Sequence, residues 1–305
     1  MSKSSNWSGV LFAAGGALGF ASKGIFAKYL YARGMSFETL LTLRSLLSLP
    51  IMWAWVLWLR GWESIRLASP RAIIGAAVGG VLCYCIGALL DFYALISLDA
   101  SVERVVLFSY PAMVVLAGMG MGRGRPSARI VLALAITYCG IFLTVGGFDA
   151  HLLRQNAGGT LLVLICAATF AAYFLISERY VGRLGSQQFA LFAMTAAAAA
   201  LCVYFSVRIG WHRIRLDATE WALMAGIVMF ATVLPMFLAA EGVRRIGAQR
   251  SALAGTVGPI ATMILAALLL GERLHALQIA GSLLIVAGIL VLELRRAVIP
   301  KDADA

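Results

Sequence analysis

Residues 242–293 read GVRRIGAQRSALAGTVGPIATMILAALLLGERLHALQIAGSLLIVAGILVLE, and residues 94–145 read ALISLDASVERVVLFSYPAMVVLAGMGMGRGRPSARIVLALAITYCGIFLTV. Slid by 148 positions, one lies on the other without a gap, so that Pro111 falls on Pro259 and Gly140 on Gly288. A constant internal shift marks a duplicated unit. Each copy holds two apolar runs close to the roughly 20 residues a helix needs to cross a bilayer. The duplicated unit is therefore one of membrane spans.

Working outward, apolar runs of that kind fill almost the whole chain of 305 residues: 9–31, 37–59, 72–97, 101–121, 128–147, 159–181, 187–207, 218–240, 249–270 and 277–294. Only 13% of residues are charged, and the mean hydropathy is +0.91. Nothing of the length of a soluble domain remains. The net charge of +11 sits in short loops rather than on one polar face, which argues against nucleic acid as a partner. The five cysteines fall inside apolar runs, where a free thiol behaves as a small buried hydrophobe, and no metal or redox role is expected of them.

The polar stretch 149–158 separates two halves of five spans. Five is odd, so the second half enters the membrane from the opposite side. The expected architecture is an all-α integral membrane protein with ten transmembrane helices in two inverted five-helix repeats. The first repeat covers 1–148 (helices 1–5). A linker at 149–158, a second repeat at 159–296 (helices 6–10) and a tail at 297–305 follow. Lys and Arg gather on the cytoplasmic side of membrane proteins. Arg60, Arg66 and Arg71, Arg123, Arg125 and Arg129, and Arg244, Arg245 and Arg250 then set both termini in the cytoplasm, with Arg208, Arg213 and Arg215 running against the trend.

Within this frame the chain carries Ala94-Leu95, Ala100-Ser101 and Pro111 in one half. The other half has Gly247-Ala248, Pro259, Gly271-Glu272-Arg273, Gly281 and Gly288, and Lys28 and Arg44 flank the first outer loop. In order and spacing these resemble the drug/metabolite transporter superfamily, and within it the ten-span EamA group, over nearly the full chain. The resemblance implies a secondary transporter of the cell inner membrane in a bacterial-type cell. Such proteins move amino acids and other small metabolites, mostly outward, without ATP. This chain departs from the pattern at Gly122-Arg123-Gly124-Arg125, at Lys23 and at Glu103-Arg104.

Candidate residues follow from what a bilayer penalises. A proline within a helix removes a backbone hydrogen bond, and symmetric interruptions of spans point to a midplane binding site. Pro111 and Pro259, the latter preceded by Gly258, are expected hinges, as is Pro235, whose counterpart at the same shift is Gly87. Tyr84 and Thr232 correspond one turn away. Tyr110, Tyr173 and Thr256 complete a set of polar-tipped groups suited to an amphipathic ligand; the bland alternative is packing with the hydroxyl on a backbone carbonyl.

Ionisable groups within the membrane each ask for a reason. Lys23 lies roughly 12 Å from the outer end of span 1 and is expected either to meet a substrate carboxylate or to pair structurally. Arg44, Asp91, Glu103 and Arg104 are expected to form intramembrane ion pairs, for example Arg44 with Asp91 or Glu103.

No catalytic constellation is visible, and His151, His212 and His275 all fall in loops. The expectation is a transporter, not an enzyme, without cofactor or metal. Its partners are a small-molecule substrate, the lipid bilayer and, as candidate coupling ion, protons. An amino-acid-like substrate comes first, with nucleobases, sugars or cations as alternatives and a non-transporting receptor or scaffold as the reading from another class.

Overall fold

The computed structural model describes residues 3–66, 68–121, 128–255 and 257–296, and every regular element among them is helical. Seven segments are long and apolar enough to cross a bilayer, and three shorter apolar helices, Ile130–Val145, Val257–Leu270 and Ala276–Gly288, complete a ten-helix membrane protein.

Span 1 is Lys3–Ala21 followed by Lys23–Ala32, and span 2 is Phe37–Arg66. Span 3 runs Pro70–Gly80, a π-helical Val81–Gly87, then Ala88–Ser97. Span 4 is split into Ala100–Leu107 and Tyr110–Gly120, and span 5 is Ala128–Val145. Span 6 is Ala150–Leu184 and span 7 is Ser186–Arg208. Span 8 runs Ala218–Val228, a π-helical Met229–Val233, then Leu234–Gly255. Span 9 is Val257–Leu265 with a π-helical Ala266–Leu270, and span 10 is Ala276–Arg296.

Two boundaries differ from the sequence reading. Residues 150–158, expected as a linker, form the first turns of span 6. Asp149 initiates them: its carboxylate accepts from the backbone N–H of His151 (2.9 Å) and Leu152 (3.2 Å), satisfying donors that would otherwise be orphaned. With 35 residues, span 6 is about 52 Å long at 1.5 Å per residue, so it projects beyond a hydrocarbon core of about 30 Å. The gap expected at 241–248 is likewise helical, within Leu234–Gly255.

The duplication is legible in the packing. Spans 5 and 10, which correspond to each other, lie antiparallel in reciprocal contact. Gly140 meets the Gly281 carbonyl and Ile285, while Gly288 meets the Ala133 carbonyl and Thr137. Only glycine allows this approach: a Cβ on Gly288 would sit 2.9 Å from the Ala133 oxygen. Span 1 packs along span 8, with Gly19 against Pro235 and Gly16 against Ala239. Span 6 packs along span 3, with Thr169 against Gly87. At the shift of 150 that aligns Phe20-Ala21-Ser22-Lys23 with Phe170-Ala171-Ala172-Tyr173, Gly19 corresponds to Thr169, and at 148 Gly87 corresponds to Pro235, so both contacts set a glycine of the first half against a bulkier residue of the second. The π segments Val81–Gly87 and Met229–Val233 also stand at corresponding places. Such segments widen one helical turn and free carbonyls from the regular ladder.

Ties at both ends join the halves. At one end, Arg33 pairs with Asp217, and the Tyr29 hydroxyl donates to the Leu269 carbonyl (2.7 Å). At the other, Arg245 donates to Glu241 (2.6 Å) and Ser8 (2.9 Å), and its guanidinium lies 4.6 Å from the centre of the Phe12 ring.

Candidate functional site

Span 1 breaks at Ser22, whose N–H and hydroxyl both donate to the Gly19 carbonyl (3.1 and 2.7 Å). The freed Ala21 carbonyl accepts from Thr262 of span 9 (3.3 Å). Immediately after this break, Lys23 points into the bundle and is only 8% exposed. Its Nζ lies 2.5 Å from Asp91 Oδ2 on span 3 and 3.1 Å from Glu103 Oε1 on span 4. The two acids are 3% and 1% exposed. A charge this deep is tolerated only when paired, and one ammonium serves both carboxylates. Asp91 Oδ1 and Glu103 Oε2 keep no hydrogen-bond partner.

Arg44 was expected to take one of those acids, and the structure gives both to Lys23 instead. The Arg44 guanidinium lies over the Phe92 ring at 5.1 Å, and Lys23 Nζ lies 5.3 Å from the same ring centre. Its one hydrogen bond among the described residues goes to Thr232 Oγ1 at 3.5 Å, the long limit for such a contact. Thr232 sits in the π segment of span 8 and donates in turn to the Ile227 carbonyl five residues back (3.0 Å). Arg104 lies over Phe108 (5.1 Å), with the bare Gly258 of span 9 leaving room for its guanidinium. The Nε atoms of Arg44 and Arg104 both lack a partner.

A second group is aromatic. Tyr84, in the π segment of span 3, meets Tyr173 edge-on at 5.1 Å. Tyr110 stacks on Phe174 at 5.1 Å, and Phe170 lies 6.4 Å from Tyr84 and 6.1 Å from Tyr110. Span 6 therefore collects Tyr84, Tyr110 and Tyr173. Tyr84 packs both on the core that contains Phe92 and on the core that contains Tyr173. Thr256 lies outside the described residues.

The expected hinges take a specific form. The ladder of span 4 is interrupted at Phe108 and Ser109, so Pro111 is the second residue of a new half-helix. In a first turn the missing N–H has no partner to lose. Pro111 thus begins a half-helix rather than bending a continuous one, and Pro259 lies within Val257–Leu265.

One functional contact was missed in the sequence. Glu272 accepts from the backbone N–H of Ala100 (2.7 Å) and Ser101 (3.2 Å) and from the Ser101 hydroxyl (2.7 Å). Gly271, at φ 68°, makes the left-handed turn that aims it. Among the described residues, no group of three His, Cys, Asp or Glu side chains could hold a metal.

The sequence pattern of the EamA-like transporter family matches residues 7–146 and again 157–294. The chain belongs to the EamA-like transporter family. It is 34% identical over 278 residues to the "Uncharacterized transporter YcbK" of Bacillus subtilis (strain 168), covering 90% of this chain and 88% of that one. An "Uncharacterized transporter" of Archaeoglobus fulgidus is 22% identical over 222 residues, covering 72% of this chain and 76% of the other. A solved crystal structure superposes with a TM-score of 0.65 at 18% identity, covering 96% of this chain and 99% of that chain, which speaks for the fold alone. This EamA-like protein is a multi-pass membrane transporter of small molecules. Its repeats meet along spans 1 and 8 and spans 3 and 6, and the buried charges stand beside that seam.

Proposed function

We propose that this EamA-like protein is a secondary transporter of small, carboxylate-bearing metabolites of the amino-acid type. It works by alternating access in the inner membrane of a bacterial-type cell, with both termini cytoplasmic. The observation that carries this reading is the buried set Lys23, Asp91, Glu103 and Arg44 beside interrupted backbone in spans 1, 4 and 8. Buried charge and broken helices both weaken a membrane bundle, and a binding site is the economical reason for keeping them together.

The substrate sits between the charge group and the tyrosines of spans 3, 4 and 6, and the two halves rock about it. Export is the direction the family resemblance implies. The test is counterflow in proteoliposomes with a panel of labelled amino acids and unrelated metabolites. Exchange of at least one amino acid is expected; exchange confined to nucleobases, sugars or organic cations overturns the substrate reading.

A further inference from the structure

The five buried ionisable groups do not cancel. Lys23, Arg44 and Arg104 can carry three positive charges, Asp91 and Glu103 at most two negative ones, and both acids contact Lys23. The surplus therefore rests on the guanidiniums. Among the described residues, no carboxylate lies within ion-pair distance of Arg44, which is 8% exposed. A guanidinium offers five donors in a planar fork. Arg44 uses one of them, at 3.5 Å, and its Nε uses none.

We propose that Arg44, with Thr232, is the anchor for the carboxylate of a substrate that is a net monoanion. This narrows the transport reading above, from amino-acid-type carboxylates in general to those with a net negative charge, and rests on it. An added negative charge reduces the surplus. A zwitterion adds none, and a cation worsens the surplus.

Arg44 supplies the fork from the first repeat, and Thr232 from the second a hydroxyl that donates to the anion by leaving the Ile227 carbonyl. An anion held there ties span 2 to span 8, at the π segment where that helix is already loosened. The Arg44 guanidinium lies 5.1 Å from the centre of the Phe92 ring, and Tyr84, packed on the same core, offers an apolar wall for the organic body. The arginine is thus the substrate-facing cation, whereas Lys23 is held by protein groups.

The test uses four probes on one skeleton: 3-phenylpropionate, 3-phenylpropanamide, phenylalanine and phenethylamine. Binding to the purified protein is followed by thermal shift, since a ligand of the folded state raises apparent stability. The acid is expected to bind at least tenfold tighter than the zwitterion, and the amide and amine more weakly still. Arg44→Gln is expected to lose the acid tenfold or more, and Arg44→Lys to keep part of the affinity. Thr232→Val, which preserves shape, is expected to lose it several-fold and serves if Arg44→Gln does not fold.

Equal binding of acid and zwitterion, preference for the amine, or unchanged affinity in Arg44→Gln and Thr232→Val overturns the assignment. Counterflow with a wider metabolite panel separates the two claims. Exchange of other solutes without binding of the acid removes this substrate class and leaves transport standing. Binding of the acid with no exchange of any solute removes transport and leaves the site standing. Neither binding nor exchange removes both.

Discussion

Replacing Lys23 by methionine keeps a linear side chain of similar length and deletes the cation that, among the described residues, forms ion pairs with Asp91 and Glu103. At the observed separations of 2.5 and 3.1 Å, an effective dielectric constant of about 20 gives gross attractions of about 7 and 5 kcal/mol. These are not net stabilisation, because taking three ions out of water costs several kcal/mol apiece and cancels most of it. The variant, however, loses the attraction and retains two stranded carboxylates. Removing one partner of a buried pair destabilises by about 3–5 kcal/mol, and that is the expected loss for Lys23→Met.

The triple variant Lys23→Met, Asp91→Asn, Glu103→Gln removes all three charges together and should regain most of the stability. The measurement is unfolding in mixed micelles at increasing sodium dodecyl sulfate, read by the fluorescence of the seven tryptophans. A Lys23→Met protein within about 1 kcal/mol of the parent refutes a structural triad at this depth. So does a triple variant as unstable as the single one.

Three further outcomes are expected. Glu272→Gln should weaken the protein by about 1 kcal/mol and Glu272→Ala by about 2, as for loss of a helix cap, in the same unfolding assay. Gly288→Ala should cost about 1–3 kcal/mol by overpacking spans 5 and 10; Gly118→Ala, which meets nothing within 4 Å, should change stability by less than about 0.5. Asp217 is held below the ordinary carboxylate range by the Glu220 backbone N–H and by Arg33. Its contribution is present above the unfolded carboxylate range and is lost as pH falls through the lower folded value. The unfolding midpoints of wild type and Asp217→Asn should therefore differ at neutral pH and converge in acid.

The span count and the duplication were legible because they are periodic and local: apolar runs, loop charges and a fixed shift need no three-dimensional knowledge. The half-helix at Pro111 was half legible. Proline marks the place, but whether the chain bends or restarts depends on where the neighbouring carbonyls find donors, as Ala21 finds Thr262. The pairing of charges was not legible. Lys23 and Arg44 are both within reach of Asp91 in a ten-helix bundle, and only side-chain direction decides between them. Glu272 was visible as part of Gly271-Glu272-Arg273, and Ala100-Ser101 as a separate motif. That one caps the other across 171 residues is a tertiary fact. The helical start at 150 had a local signal, an Asp followed by free N–H groups, outweighed by the polarity of the stretch.

The two contacts, Gly19 on Pro235 and Gly87 on Thr169, say something about ancestry and independence. Two copies of the first half alone would set Gly19 against Gly87 and leave a hole at the seam. Two copies of the second would drive Thr169 into Pro235. The chain descends from a duplication, yet its halves have become lock and key: neither can stand in for the other. A single gene encoding both guarantees the equal supply that such mutual dependence requires.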